Sequence, residues 1–255
     1  MVGAPDYSDI QQIEKGLLAN RPCLETVTDG AWVWRFANGY TGRANSLQSL
    51  DVADDRDFTA RLDIHWQRSK AFGIVPRFRV TPLTPPLVVE HLLGRGFVRQ
   101  SDSLVMDMSL VQTKPVSKDN NISRHSVLDA QWQKDILRLE NVAQDDVETF
   151  IQLMGVLPKK AVGLSLMGED GTTIGAAYAS LEGEMGSVFA LVIDPAFRGQ
   201  GLGRHLMLAL LSWMAEGGAK RIALHVVAGN GPAVGLYRSL GFVEAYKYYY
   251  LVGNT

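Results

Sequence analysis

The chain has 255 residues, 46% hydrophobic and 20% charged, with a net charge of −2, which allows one large globular domain or two of about 120 residues. No apolar run reaches the roughly 18 residues of a membrane span, and the amino terminus lacks the basic-then-apolar pattern of a secretory signal, so no membrane role and a cytoplasmic address are expected. Cys23 is the only cysteine, which excludes an intrachain disulfide framework and a Cys-cluster metal site, and the near-neutral charge gives no reason to invoke nucleic acid.

The first predicted element is a helix over residues 10–20, where Ile10, Ile13, Leu17 and Leu18 have helical spacing before Arg21-Pro22. Residues 31–36, aromatic and β-branched, read as a strand, and the polar, glycine-containing stretch from Asn38 to Leu50 reads as a loop. Acids at the start and apolar residues at Phe58, Leu62, Trp66 and Phe72 predict a helix over residues 54–72, ended by Gly73. A short strand follows at residues 78–80. Pro85-Pro86 begin a helix that runs through Leu92 and Leu93 to Gly94, and an alternating strand surrounds residues 104–108.

Residues 112–121 (QTKPVSKDNN) are polar and aperiodic, and they predict a linker. Helices are expected at 130–140 and 145–154, then a meander of strands at 160–167, 174–181 and 188–193. Leu206, Met207, Leu210, Leu211 and Met214 form one apolar stripe on a helix ended by Gly217-Gly218. Strands at 222–227 and 243–252 enclose a last helix. The two halves repeat one order of elements: strand, loop, long helix, short strand, Pro-started helix, then Gly and Phe-Val at 96–98 and 241–243.

Chemistry concentrates in the loop between the strand at 188–193 and the striped helix. Gly199, Gly201 and Gly203 alternate there, bracketed by Arg198 and Arg204. Successive amides at a helix N-terminus form a positive concavity, and glycine lets a bulky anion approach the backbone. A P-loop needs Gly-Lys-Ser/Thr, but the residues here are Gly203, Arg204 and His205. A Rossmann fingerprint fails too, because Arg204 stands at its last glycine. Taken alone, the glycines are equally compatible with a tight turn that binds nothing.

A second feature changes that balance. Arg198, Gly201 and Gly203, after a strand ending Val192-Ile193-Asp194-Pro195, are followed by Asn230, then Tyr237 seven residues on, then Leu240-Gly241-Phe242. This combination resembles the GNAT N-acyltransferases, and the repeated halves resemble tandem members of that superfamily. The resemblance implies an α+β (mixed α/β) fold of two GNAT-like domains, each a mostly antiparallel sheet flanked by helices. Residues 1–112 would form a degenerate domain and residues 122–255 the catalytic one, with 113–121 as linker. The first half has no clustered G-x-G run and no tyrosine near position 92. Its loop at residues 41–46 (TGRANS) resembles one seen in the amino-terminal halves of some bacterial tandem members.

The resemblance further implies acetyl-CoA as cosubstrate, no metal, and direct transfer to a primary amine in a ternary complex. Amides from Arg198, Gly199, Gln200, Gly201, Leu202, Gly203 and Arg204 would take the pyrophosphate, and the backbone of Leu191, Val192 and Ile193 would meet the pantetheine where this strand splays from its neighbour. Tyr237 would be the general acid, since a phenol with pKa near 10 can protonate a departing thiolate; otherwise it is a packed helix residue. Asn230 would reach the cofactor or only cap its helix. His225 is the candidate base, standing where some members place a Glu, and could equally be a hydrogen-bonded strand residue. Glu182, Glu184 and Asp194 are further carboxylates expected near the cleft. Tyr246, Tyr248 and Tyr250 would fill the seam between sheet halves or line an acceptor pocket. The competing reading is an acyl-CoA-binding sensor without turnover, and the acceptor and oligomeric state stay open.

Overall fold

A computed structural model describes residues 6–110 and 121–253; of the predicted linker, residues 113–120 lie outside the described residues. The amino-terminal half carries α1 (Tyr7–Asn20), β1 (Glu25–Asp29), β2 (Trp32–Phe36), β3 (Leu47–Ser49), α2 (Phe58–Ala71), β4 (Arg77–Val80), α3 (Pro86–Gly94) and β5 (Val98–Ser109). The carboxy-terminal half carries β6 (Ile122–His125), α4 (Ala130–Glu140), α5 (Val147–Gly155), β7 (Ala161–Met167), β8 (Thr173–Glu182) and β9 (Met185–Ile193). It continues with α6 (Leu202–Glu216), β10 (Arg221–Val227), α7 (Gly231–Ser239) and β11 (Val243–Val252).

Pairing reproduces the repeat read in the sequence. β1, β2 and β3 run antiparallel and β3 pairs parallel with β4; likewise β7, β8 and β9 run antiparallel and β9 pairs parallel with β10. In both halves a long helix makes the parallel crossover, α2 or α6, and a helix with proline in its first turn precedes the final strand. A parallel pair needs such a crossover because its two ends lie a full strand apart.

The halves are not two separate sheets. The described strands form one sheet in the order β1-β2-β3-β4-β11-β5-β10-β9-β8-β7-β6. β11 lies between β4 and β5, and β5 lies between β11 and β10, both antiparallel. Each half thus inserts its last strand into the other half's sheet. Three short strands, β1, β3 and β6, were not anticipated. β1 and β6 are edge strands with mostly exposed residues, so neither carries the alternation that reveals a strand in sequence. β3 has three residues, all buried, and too few for any period to show.

Alternation sorts side chains to two faces. Ile222, Leu224 and Val226 of β10 join Leu206, Leu210 and Met214 of α6 in one core, and Trp32, Trp34, Phe78 and Leu251 join Leu62 and Leu92 of α2 and α3 in its counterpart. On the opposite face Ala223, Val105 and Tyr246, Tyr248 and Tyr250 meet Ile10, Ile13 and Leu17 of α1. Beside them α4 and α5 cover Tyr178 and Phe189 with Trp132 and Phe150. Helix α1 comes close to β9 because Gly16 has no side chain; a Cβ there would lie 2.7 Å from Met185 Cγ.

Polar groups lock α1 to both halves. Glu14, 1% exposed, accepts from Arg79 Nη1 at 2.6 and 2.8 Å, from Gln48 Nε2 at 3.0 Å and from the Tyr246 hydroxyl at 2.5 Å. Burial raises the Glu14 carboxyl, but Arg79 outweighs it and holds the group below its ordinary value. Removing one partner of a buried pair leaves an uncompensated charge, here Arg79 at 2% exposed, at about 3–5 kcal/mol. Glu14→Ala should therefore lower the melting temperature by about 10 °C, a shift readable by calorimetry. Because the folded carboxyl is held low, its stabilising contribution is complete above the unfolded value and fades as pH falls through the folded one.

Candidate active site

β9 and β10 separate at one point. They pair in parallel from Met185–Arg221 to Val188–Leu224, and beyond that β10 continues on β5 alone while β9 continues on β8 alone. The departure coincides with a bulge: against β8, Tyr178 faces Phe189 and Ala176 faces Val192, so β9 carries one extra residue. Ala190 absorbs it at φ 42°, a left-handed conformation uncommon for a residue with a Cβ. From Phe189 to Ile193 one backbone edge of β9 therefore faces a V-shaped gap in an otherwise continuous sheet. Leu191 and Ile193 pack partly against the α6 core, so their side chains are structural and their backbones line the opening.

The end of β9 turns at once into the glycine loop. Asp194 Oδ1 caps the turn over Pro195–Phe197 by accepting from Ala196 N at 2.9 Å, and Arg198 Nε donates to the Ile193 carbonyl at 3.0 Å. Gly199 and Gly201 take φ 77° and 79°, and Gly201 is the N-cap of α6. A Cβ at either would meet no atom within 4 Å, so glycine is present for backbone conformation and for an open approach. Arg204 N and His205 N donate to the Gly201 carbonyl. Among the described residues no protein group accepts from the amides of Gly199 to Gly203, which leaves a row of exposed donors at the positive end of a 15-residue helix. Arg204 Nη1 ties this end to α7 through Ser239 Oγ at 2.9 Å.

Helix α7 starts at Asn230, whose Oδ1 accepts from Ala233 N at 3.2 Å; the capping role expected as its alternative is thus present, with the residue exposed. Tyr237 lies on the inner side of α7 in the same core as Leu191 and Ile193. Its ring stacks obliquely on Phe242 at 5.9 Å, and it is 8% exposed. Burial pushes its phenol above the ordinary value, so it holds its proton throughout the neutral range. Two expected carboxylates are elsewhere. Glu182 and Glu184 flank the turn before β9, about 25 Å of strand from the glycine loop, and Glu184 pairs with Lys220 at 2.5 Å.

His225 is the first β10 residue beyond the last β9 pair, and its ring points to the α1 face, edge-on to Tyr248 at 5.4 Å between centroids. It is surrounded by residues the sequence did not mark as functional. A narrow cleft there is lined by Glu14, Gln48, His225 and the guanidinium groups of Arg21, Arg35, Arg43 and Arg79. Burial, reinforced by those four charges, drives the imidazole well below its usual pKa, so His225 is neutral at pH 7. It can accept a proton, but the arginines oppose the imidazolium that acceptance creates. Burial raises the Tyr248 phenol, yet Arg43 and Arg79 more than offset this and leave it below its ordinary value. Of these neighbours Arg43, in the TGRANS segment, and Tyr248, one of the tyrosines left open to an acceptor-pocket role, had a sequence signal; the others lie on separate elements that pairing alone brings together.

Residues 128–242 match the model of the acetyltransferase (GNAT) family. The uncharacterized N-acetyltransferase YobR of Bacillus subtilis is 22% identical over 249 residues, which cover 96% of this chain and 98% of that protein. A mycothiol acetyltransferase of Thermobispora bispora is 35% identical over 106 residues, 42% of this chain and 36% of the relative. Among solved structures, a GCN5-related N-acetyltransferase from Kribbella flavida superposes with a TM-score of 0.69 at 16% identity, covering 99% of this chain and 97% of its own. A tandem GNAT protein from the clavulanic acid biosynthesis pathway gives 0.63 at 14% identity, covering 82% and 74%. At such identities these two structures speak for the fold.

Proposed function

From a chain whose residues 128–242 form a GNAT acetyltransferase domain, we propose an enzyme that transfers an acetyl group from acetyl-CoA to a primary amine by direct attack in a ternary complex. The observation that carries this reading is the parting of β9 from β10 immediately before an exposed glycine N-terminus. One element then offers a backbone edge for an extended amide chain, and the next offers amides for a pyrophosphate.

In this reading the amides of Gly199 to Gly203 hold the pyrophosphate, the Arg204 amide being committed to the Gly201 carbonyl, and the free edge of Leu191 to Ile193 hydrogen-bonds the pantetheine. A β9 amide in the gap donates to the thioester oxygen as charge develops on it. The amine nitrogen bonds to the acyl carbon, the carbon–sulfur bond breaks, and Tyr237 gives its proton to the leaving sulfur. His225, neutral and facing the gap's other lip, takes the proton released by the amine. A cysteine-linked acyl intermediate is disfavoured because buried Cys23 has its thiol pushed up by burial.

The direct experiment follows thiol release from acetyl-CoA across a panel of amines, alongside calorimetric binding of acetyl-CoA. Turnover on at least one amine supports the enzyme. Tight cofactor binding with no turnover on any acceptor transfers the assignment to an acyl-CoA sensor, and absence of both removes the proposal.

A further inference from the structure

The cleft beside His225 gathers four arginines against two carboxylates, that of Glu14 in contact with Arg79 and that of Glu140 acting at longer range on Arg21 and Arg43. Four guanidinium groups line it, and among the described residues only Arg79 lies within 4 Å of a carboxylate, that of Glu14. Arg35 spends its donors on the carbonyls of Arg21 and of Arg43, the latter at 3.2 Å. Arg79 stacks on Tyr248 at 4.1 Å, and its Nε and Nη2 have no partner. Arg43 Nε and His225 Nδ1 are likewise buried without one, while the Tyr248 hydroxyl lies against Arg43 and Ser103. Native interiors leave few polar groups unpaired and fewer charges uncompensated. Four such atoms belong to residues that line one cleft, and guanidinium forks match the oxygens of a carboxylate or phosphate.

That ligand is not the cofactor's pyrophosphate. The glycine N-terminus belongs to the α6 side of the sheet, whereas the arginines lie on the α1 side. The two sides communicate at the β9–β10 gap. His225, the first unpaired β10 residue, lines the cleft, and Arg21 stacks at 5.2 Å on Phe189, the first β9 residue past the last pair. The inner end of the cleft therefore opens where the thioester carbon lies in the proposed reaction. Outward, Arg43 also lines a wider opening, with Tyr248, Arg77, Ser103 and Val227, which gives a path from solvent.

We infer that the acceptor is an amine bearing an oxyanion, carboxylate or phosphate, gripped by Arg21, Arg35, Arg43 and Arg79 with its amino group directed into the β9–β10 gap. This deepens the transferase reading and rests on it. All four arginines come from the amino-terminal half, so that half selects the acceptor while the other half carries the acyl donor. Arg43 in the TGRANS turn is the readiest to meet a ligand, being half-buried and free of a carboxylate partner.

The test compares β-alanine, 2-aminoethyl phosphate and uncharged ethanolamine as acceptors, and measures propionate and inorganic phosphate as inhibitors and as calorimetric ligands. The anionic acceptors should exceed ethanolamine by at least about 100-fold in kcat/KM, since a site whose buried polar groups would otherwise stay unpaired can discriminate by about 10⁴–10⁵. Whichever of propionate and phosphate binds better identifies the oxyanion, and it should compete with the acceptor and not with acetyl-CoA. Arg43→Gln should reduce the anionic preference about tenfold, read as the ratio of kcat/KM on the anionic acceptors to that on ethanolamine. Equal use of ethanolamine, or failure of both anions to bind wild type at about 10 mM (a Kd corresponding to roughly −3 kcal/mol), overturns the proposal and leaves the transferase intact. Anion binding that Arg43→Gln abolishes, with no turnover on any amine, removes the transferase reading and keeps the arginine site.

Discussion

Gly201→Glu should raise the dissociation constant for acetyl-CoA at least about 100-fold, because it sets a carboxylate among the amides that would receive the pyrophosphate. The fold should survive. A side chain at position 201 meets no atom within 4 Å, and the only penalty is a left-handed φ of 79°, about 1–2 kcal/mol or a few degrees in melting temperature. Gly201→Ala carries the same backbone penalty without the charge, so it should bind cofactor far more tightly than the glutamate variant. Calorimetry on both separates electrostatics from strain. If the glutamate variant binds acetyl-CoA as wild type does, the loop is a turn and nothing more.

The second large effect is expected from Tyr237→Phe. A positioned general acid contributes about 10²–10⁴ in rate, so kcat should fall by about 100-fold or more while cofactor affinity and melting temperature hardly move. Stability should hold because the ring and its contact with Phe242 are retained. A purely structural tyrosine would leave kcat unchanged. An acyl thioester with a more acidic thiol offers an internal check: its leaving group needs no proton, so the variant should recover most of the lost rate on that donor.

Much of this was written locally. Ala130–Glu140 and Val243–Val252 match their predicted bounds, since an amphipathic period or alternating tyrosines declare themselves within ten residues. The glycine loop was equally legible, because positive φ at Gly199 and Gly201 is a backbone demand that residue type reveals. The arginine cleft was not. Arg21, Arg35, Arg43 and Arg79 follow a helix, lie in β2, lie in a turn and lie in β4, and each alone reads as a surface charge. They converge because β11 inserts beside β4 and brings Tyr248 and β10 within reach, a non-local event with no pattern in sequence. The same insertion decides the role of the tyrosines: Tyr246, Tyr248 and Tyr250 pack under α1 at the seam, and Tyr248 and Tyr250 also border the wider opening outside the cleft.

The interleaving of β5 and β11 also has a meaning in time. A ribosome releases the chain from its amino terminus, so β4 and β5 emerge with a vacancy between them that only residues 243–252 can fill. At about 5–20 residues per second, the first half waits on the order of ten to thirty seconds for its missing strand. During that interval two hydrogen-bonding edges stand open, and a neighbouring nascent copy could offer its own β11. Assembly of the arginine cleft thus waits for residues 243–252, and no fragment released before them contains it whole.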